Sequence, residues 1–265
     1  MKAVILAAGT GARLGEPYGR EPKALLRFGD KSLLERHIGC LRRLGIAELV
    51  VGVGFHHDDI RREIDRLEAG NLVRTVFNPD FTDGSMVTLW TLRDELRCGA
   101  PVLLMDADVL YPDALLRRLV ASQHRSCLLL DRDFEPGDEP VRVGVSAGRI
   151  VDFRKRSSVP CDFRGESVGF FKLSPGDARA LVAHARSYID RGACQEPYEE
   201  AIRDLLLGPA ADGFGYEDIT GEPWIEIDFP ADVERARLDI LPRISAAEKQ
   251  APQARGQAGG GARLP

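Results

Sequence analysis

The stretch LAAGTGARLGEPYGREPKALL, near the amino end, sets glycines, Arg13 and Lys23 behind an apolar run. Ala7, Ala8 and Gly9 remove side-chain bulk where that run ends. Thr10, Gly11 and Gly15 leave the backbone free to turn with positive φ. A turn of this kind exposes backbone N–H groups, which hold phosphate, and Arg13 and Lys23 add fixed positive charge. The chemistry it suits is the cradling of a triphosphate. A second stretch, MDADVLY, places Asp106 and Asp108 two residues apart, on one face of an extended backbone. A carboxylate pair at a strand end is a common way to hold Mg²⁺. A third, WIEIDFPADVERA, carries Asp228 to a strand end ahead of Pro230. Each has a plainer reading: Arg13 and Lys23 as solvated charges, Asp106 or Asp108 as turn residues before Pro112, Asp228 as the N-cap of the next helix. The glycine spacing is neither that of a P-loop nor that of a Rossmann fingerprint.

The elements that must position these residues alternate. Val4–Leu6, Leu49–Val53, Val73–Phe77 and Val102–Met105 read as strands. Ser32–Leu44, Asp58–Leu67, Met86–Leu96 and Pro112–Ala121 read as helices. Apolar strands without alternation imply a mostly parallel sheet covered on both faces. Further on, Cys127–Leu130, Val141–Val145, Val168–Leu173 and Trp224–Asp228 read as strands, with a turn at Gly148. Gly176–Arg191, Tyr198–Leu207 and Pro230–Ile240 read as helices. Ligands in such sheets sit at the carboxyl ends of the strands, where both the glycine-rich turn and the aspartate pair fall. The folded unit is expected to span residues 1–241. Residues 242–265, ending GQAGGGARLP, lack the apolar residues to pack and are expected to be disordered.

With 265 residues, 44% hydrophobic and 29% charged, the chain has the composition of a soluble globule. A formal charge of -5 argues against a broad nucleic-acid surface. No apolar run approaches the roughly 20 residues of a membrane span, and nothing at the amino end resembles a signal peptide. The five cysteines are scattered, without zinc-type pairs. The cytoplasm is the expected compartment, with reduced thiols.

The combination G-x-G-x-R with a following P-K-x-L resembles the signature of nucleotidyltransferases that join an NTP to a phosphorylated small molecule. The D-x-D and late E-[IV]-D motifs agree with it. FNPDFTDGSMVTLWTLRDEL, ESVGFFKLSP and CQEPYEEAIRDLL resemble, in order and spacing, the phosphocholine cytidylyltransferase branch. The resemblance extends to about Leu241. It implies an α/β, Rossmann-like, mostly parallel mixed sheet with helices on both faces, the GT-A-like nucleotidyltransferase fold. It further implies a Mg²⁺-dependent transfer of CMP from CTP (or of another nucleotide from its NTP) to a small phosphate or phosphonate, with phosphocholine and 2-aminoethylphosphonate as examples. Leu6, Ala7, Ala8, Gly9, Thr10, Gly11, Gly84 and Ser85 would bind the nucleotide, with Asp106 beside the ribose or behind the metal. Asp108 and Asp228 would hold Mg²⁺. Arg13 would take the β- and γ-phosphates and Lys23 the α-phosphate. Lys155, in VDFRKRS, would take the acceptor phosphate, a basic solvated cluster with Arg154 and Arg156 being the alternative.

An ionised phosphate is already a nucleophile at neutral pH, so no general base is required, and the five histidines read as surface or packing residues. Glu166, Glu196, Glu199 and Glu200, with Tyr198, Phe170 and Trp90, fall in segments expected to face the acceptor. Of these, Glu166, Glu199 and Tyr198 are the best candidates for holding its cationic end. Other readings stay open: a sugar or cyclitol phosphate as acceptor, a nucleotide-binding regulatory subunit, or a metal-dependent glycosyltransferase, which also uses D-x-D. Pairing into a homodimer is compatible with the sequence.

Overall fold

Parallel strands need crossovers long enough to carry a helix, and the chain up to Asp106 is spaced that way. The computed structural model describes residues 1–134, 140–156, 158–208 and 213–250. Its main sheet contains β1 (Lys2–Ala7), β2 (Leu49–Val53), β3 (Val73–Phe77), β4 (Val102–Asp106), β5 (Ser126–Asp131), β6 (Arg142–Ser146), β7 (Arg149–Arg154), β8 (Phe163–Leu173) and β9 (Phe214–Asp218). The order is β7-β6-β8-β4-β1-β2-β3, with β5 against β8 and β9 against β5. β4, β1, β2 and β3 run parallel, and β8 joins β4 antiparallel. The sheet is therefore mixed around a parallel heart, as expected.

Both faces are covered. Ile5, Val51 and Met105 pack in one cluster with Leu34 and Leu41 of the helix Leu33–Arg43. Their strand neighbours Val4, Val50 and Leu104 pack in a second, with Met86 and Leu89 of the helix Ser85–Thr91 and Leu181 of Pro175–Asp190. Burial on both faces is what makes these strands read as continuous apolar runs. A third cluster joins Leu14, just after the glycine-rich turn, to Ile225, Ile227, Ile240 and Ile244 near the end of the chain.

Several expectations need correction. The helix expected over Met86–Leu96 breaks at Leu92 into Ser85–Thr91 and Arg93–Leu96. The strand expected over Trp224–Asp228 is only Ile225–Glu226, and it pairs with Val109–Leu110. β9 had no counterpart in the sequence reading. The folded unit does not end at Leu241: after Pro230–Arg235 a wider turn over Ala236–Ile240 leads into a helix over Leu241–Gln250. Ile244, 1% exposed, supplies the apolar contact that this segment was thought to lack. Of the expected tail, residues 251–265 lie outside the described residues. Among the described residues no helix is long and apolar enough to cross a membrane.

Candidate active site

The carboxyl ends of β1 and β4 open onto a cavity of about 670 Å³, within the usual range for small-ligand sites. The whole run Leu6–Gly11 lines it, as do Gly84, Ser85, Asp106, Asp108, Lys155 and Asp228. No histidine does. Gly11 holds φ 64, and a side chain there would press on Lys23 Cγ at 3.3 Å. The turn thus needs glycine both for its backbone angle and to admit the lysine. Gly84, at φ 120, lets the backbone carbonyl of Cys194 approach to where a Cβ would stand 2.9 Å from it. The Ser85 hydroxyl accepts a hydrogen bond from the Tyr198 amide at 3.0 Å. These two residues therefore fasten the wall bearing Tyr198 to the start of the helix Ser85–Thr91.

The charged centre is assembled by the short ladder between Val109–Leu110 and Ile225–Glu226, with the Ile227 amide donating to the Asp108 carbonyl at 2.9 Å. It brings Asp228 beside Asp108 from far along the chain. The Lys23 ammonium donates to Asp108 Oδ2 at 2.7 Å and to Asp228 Oδ1 at 2.6 Å, and Arg13 Nη2 donates to the same Asp228 oxygen at 2.7 Å. The Arg13 guanidinium also stands over the Phe229 ring. The plainer readings of Lys23 and Asp228 fall here. Lys23 is largely buried. The residue before the helix Pro230–Arg235 is Phe229, and Asp232 Oδ2 accepts from the amides of Asp228 and Phe229.

Sequence reasoning missed Glu226. Its carboxylate and those of Asp108 and Asp228 offer oxygens all within 4.8 Å of one another. The signal was available, because Glu226 and Asp228 have the same two-residue spacing as Asp106 and Asp108.

The electrostatics follow from crowding. Five carboxylates (Asp106, Asp108, Glu199, Glu226, Asp228) face three cations (Arg13, Lys23, Lys155) in the cavity wall. Burial alone would lower the Lys23 pKa, but Asp108 and Asp228 outweigh it and hold the ammonium above the ordinary lysine value. Burial, then the Asp108 and Asp228 charges, push Glu226 well above the usual carboxyl range. Burial and the charges of Asp108 and Glu199 do the same to Asp106. Both shifts express an excess of negative charge that a divalent cation would offset. An all-oxygen set that leaves positions for phosphate oxygens suits Mg²⁺, so the residues present fit that ion.

Asp106 has a partner of its own. Its Oδ2 accepts from the Tyr198 hydroxyl at 2.8 Å. Gly169 of β8, at φ 77, lies against the Asp106 carboxylate where β8 changes register against β5. A Cβ at Gly169 would overlap the Asp106 carboxylate. Gly169→Ala should destabilise the fold by about 2–4 kcal/mol, from overpacking and left-handed strain, seen as a Tm lower by roughly 5–10 °C. An unchanged Tm would show that Asp106 yields freely and is not held in place. The carbonyl of Ala107, between the two aspartates, is fixed by His37 Nε2 at 3.1 Å, while His37 Nδ1 meets the Tyr111 hydroxyl at 3.0 Å. Burial lowers the His37 pKa to about 4. The ring is therefore neutral, donating to the carbonyl and accepting from the tyrosine. It is a packing histidine, as expected.

The acceptor candidates divide. Tyr198, Glu199 and Lys155 all line the cavity. Glu199 Oε2 is buried without a hydrogen-bond partner, and burial raises its pKa, with Lys155 opposing. Glu166 is not brought to the site. The β8 residues at the cavity margin are Ser167, Gly169 and Phe171, and Glu166 has the opposite parity. Phe170 is fully buried against Tyr111, Trp90 carries Arg93 on its ring, and Glu196 is exposed. None of these lines the cavity. A second cavity, of about 640 Å³, shares Lys155, Pro197 and Glu199 with the first and adds Glu200, Arg154, Arg156 and Arg203.

Comparison with known proteins bears on the family and the fold. The family described as MobA-like NTP transferase domain matches residues 3–152. The CMP-5'-(3-aminopropyl)phosphonate synthase of Streptomyces rubellomurinus is 30% identical over 250 residues, covering 91% of this chain. The chain spans 39% of the length of that protein. The CTP:phosphoglutamine cytidylyltransferase of Campylobacter jejuni is 22% identical over 253 residues, covering 88% of this chain and 98% of the relative. Among solved structures, the CTP:phosphocholine cytidylyltransferase of Streptococcus pneumoniae superposes with a TM-score of 0.68 at 23% identity, covering 89% of this chain and 97% of that one. The inositol-1-phosphate CTP transferase of T. maritima does so with a TM-score of 0.70 at 21% identity, covering 95% and 97%. These two likenesses speak for the fold.

Proposed function

Because the chain belongs to the MobA-like NTP transferase domain family, we propose that it transfers CMP from CTP to a small phosphate or phosphonate acceptor and releases pyrophosphate. The observation that carries this reading is the meeting, in one cavity, of the glycine-rich turn, Lys23 and the carboxylates of Asp108, Glu226 and Asp228. The choice of CTP rests on the names of the relatives. The catalytic unit is taken to comprise residues 1–250.

In the reaction an acceptor oxygen forms a bond to the α-phosphorus, and the bond between that phosphorus and the α–β bridging oxygen breaks. The electron pair leaves with pyrophosphate. The acceptor is already ionised at neutral pH, so no proton has to be moved, and the absence of histidine from the described cavity wall presents no difficulty. The work lies in positioning and in offsetting charge. The backbone from Leu6 to Gly11 holds the nucleotide. Arg13 neutralises the β- and γ-phosphates as they depart. Lys23 serves the α-phosphate, where negative charge concentrates. Lys155 orients the acceptor's phosphate or phosphonate, and Glu199 with Tyr198 holds its cationic end. Asp108, Glu226 and Asp228 would hold Mg²⁺, which supplies polarisation of phosphate oxygens and further charge neutralisation.

The test is a screen of the four NTPs against phosphocholine, phosphoethanolamine, 2-aminoethylphosphonate, a sugar 1-phosphate and a cyclitol phosphate, reading pyrophosphate. CTP with an amino-bearing acceptor is expected to lead, and EDTA to abolish turnover. A best rate with a neutral acceptor would move the assignment to sugar or cyclitol phosphates. No pyrophosphate from any pair would overturn transfer itself.

A further inference from the structure

A hydroxyl both donates and accepts, so it can select a ligand only where its surroundings fix which of the two it does. Those of Thr88 fix it. Thr88 lines the first cavity and is 3% exposed. Its oxygen accepts from Asn78 Nδ2 at 3.0 Å. Asn78 cannot present its amide the other way round, because its Oδ1 accepts from the Asp80 amide at 3.0 Å and a reversed group would set two N–H groups against each other. Asn78 is fully buried just after β3, and its own amide donates to the Val53 carbonyl at 2.8 Å. The Thr88 proton donates to no described residue. Thr91 shows the usual alternative on this helix, its hydroxyl donating to the Val87 carbonyl four residues back. Ser85 lies on the same helix face as Thr88 and repeats its pattern. The Ser85 oxygen accepts from the Tyr198 amide, and its proton donates to no described residue. Both hydroxyls thus have a proton to give to the cavity. A bond accepted from a ligand instead would leave that proton unpaired, which is costly at a buried site.

The cavity wall sorts a nucleotide by charge. The segment after β3 contributes Phe81, Thr82, Gly84, Ser85 and Thr88, none of them charged. Thr88 also lies against β2, where a Cβ at Gly52 would stand 3.4 Å from its methyl. Strand β1 separates β2 from β4 and its aspartates. The triphosphate therefore belongs to the charged side and the nucleobase to this one. We infer that Thr88 selects the nucleobase by donating to ring nitrogen N3 of cytosine, and that Asn78, which has no exposed surface, is the positioning residue that fixes Thr88 as a donor. N3 is a bare acceptor in cytosine and an N–H donor in uracil, while the neighbouring O2 accepts in both. Thr88 is the deeper of the two hydroxyls, so it faces N3, the atom farther from the sugar, and the half-buried Ser85 faces O2. The inference rests on the transfer reading and deepens it, because the choice of CTP there comes from relatives and not from a residue of this chain.

Binding of CTP, UTP and GTP to the full chain, each with Mg²⁺, is measured by titration calorimetry, and turnover by pyrophosphate release. CTP should bind about tenfold to a hundredfold more tightly than UTP, whose N3–H meets a fixed donor and leaves both groups unpaired. Thr88→Val keeps the methyl against β2 and should erase most of that margin by weakening CTP far more than UTP. Thr88→Ser should restore it. Asn78→Ala should narrow the margin from the other side. With the space behind it open, the Thr88 hydroxyl can turn its proton away and present its oxygen to N3–H, so UTP binds more tightly. Were the two residues merely structural, each substitution would weaken both nucleotides alike and leave the margin. That outcome, equal affinities in the wild type, or binding of no nucleotide overturns the inference. So does tighter binding of GTP, whose O6 and N7 form another pair of neighbouring acceptors. Should Asn78→Ala fail to fold, the two Thr88 variants decide alone. A calorimetric margin without pyrophosphate from CTP and any acceptor would instead overturn the transfer reading and keep the nucleobase assignment. Pyrophosphate release with CTP and UTP bound equally would do the reverse.

Discussion

Asp228→Asn is expected to lower kcat by more than about a thousandfold while the protein stays folded. Removing one preorganised group that stabilises transition-state charge costs on the order of 10²–10³-fold in kcat. Here one change touches three functions. The Asp228 Oδ1 atom anchors both Lys23 Nζ and Arg13 Nη2, and the same carboxylate belongs to the cluster with Asp108 and Glu226. The amide isostere keeps the volume, and the backbone amide of residue 228 still donates to Asp232, so the turn into the last helices should survive. Losing one of several crowded negative charges also relieves repulsion, which argues against a large fall in Tm. Glu226→Gln should go the same way with a smaller loss, because among the described residues no lysine or arginine hydrogen bond to it is displaced. The measurements are initial rates of pyrophosphate release across a Mg²⁺ titration, with thermal melts as the control. Activity near wild type in Asp228→Asn at saturating Mg²⁺, with an unaltered melt, would remove this carboxylate from the metal site.

The difference between Asp228 and Glu226 shows what the sequence could and could not yield. The period of two that singled out Asp106 and Asp108 applies equally to Glu226 and Asp228. In the first pair the chain turns at the strand end and sends Asp106 to Tyr198 and Asp108 to Lys23. In the second pair both residues reach the cluster. Periodicity states which residues share a face of extended chain, and it cannot say where the extension stops. Glu166 failed for a related reason. Phe170 and Phe171 are both fully buried, one on each face of the sheet, so no polar alternation marks which parity of β8 meets the site, and the register change near Gly169 hides it further. The glycine-rich turn was legible because its chemistry is local: backbone amides, small side chains and the positive φ of Gly11 and Gly15. That Arg203 lines a cavity was not, because a helix surface of glutamates and arginines looks the same whether its charges face water or a cavity. The helix Leu241–Gln250 escaped notice because one buried residue, Ile244, ties it down within a composition otherwise suited to a tail.

Lys23→Met is expected to lower kcat by about 10²–10³-fold with a much smaller effect on KM for CTP. The argument begins with what Lys23 does in the absence of substrate. Its ammonium lies between Asp108 and Asp228, largely buried, and those two carboxylates hold its pKa above the ordinary value. Held above the ordinary lysine value, it stays charged around neutral pH and adds no pH dependence of its own to the rate there. A fixed charge in a poorly solvated site acts strongly on any charge that forms beside it. On the proposed reading, the ground-state triphosphate is spread along the glycine-rich turn. In the transition state negative charge gathers around the α-phosphorus and its bridging oxygen, and an interaction that grows along this path raises kcat rather than affinity. Methionine keeps the length of the stem that packs against Gly11 and removes only the charge. It also takes away an ammonium that sits between Asp108 and Asp228, the two carboxylates proposed to hold the metal. Half-saturation by Mg²⁺ in the variant should therefore shift to lower concentration even as kcat falls, because Asp108 and Asp228 lose an internal competitor. Those opposite movements are the signature to look for. A rise in KM for CTP with kcat preserved would show instead that Lys23 binds ground state and transition state alike, and its assignment to the reacting phosphate would have to pass to Arg13 or Lys155.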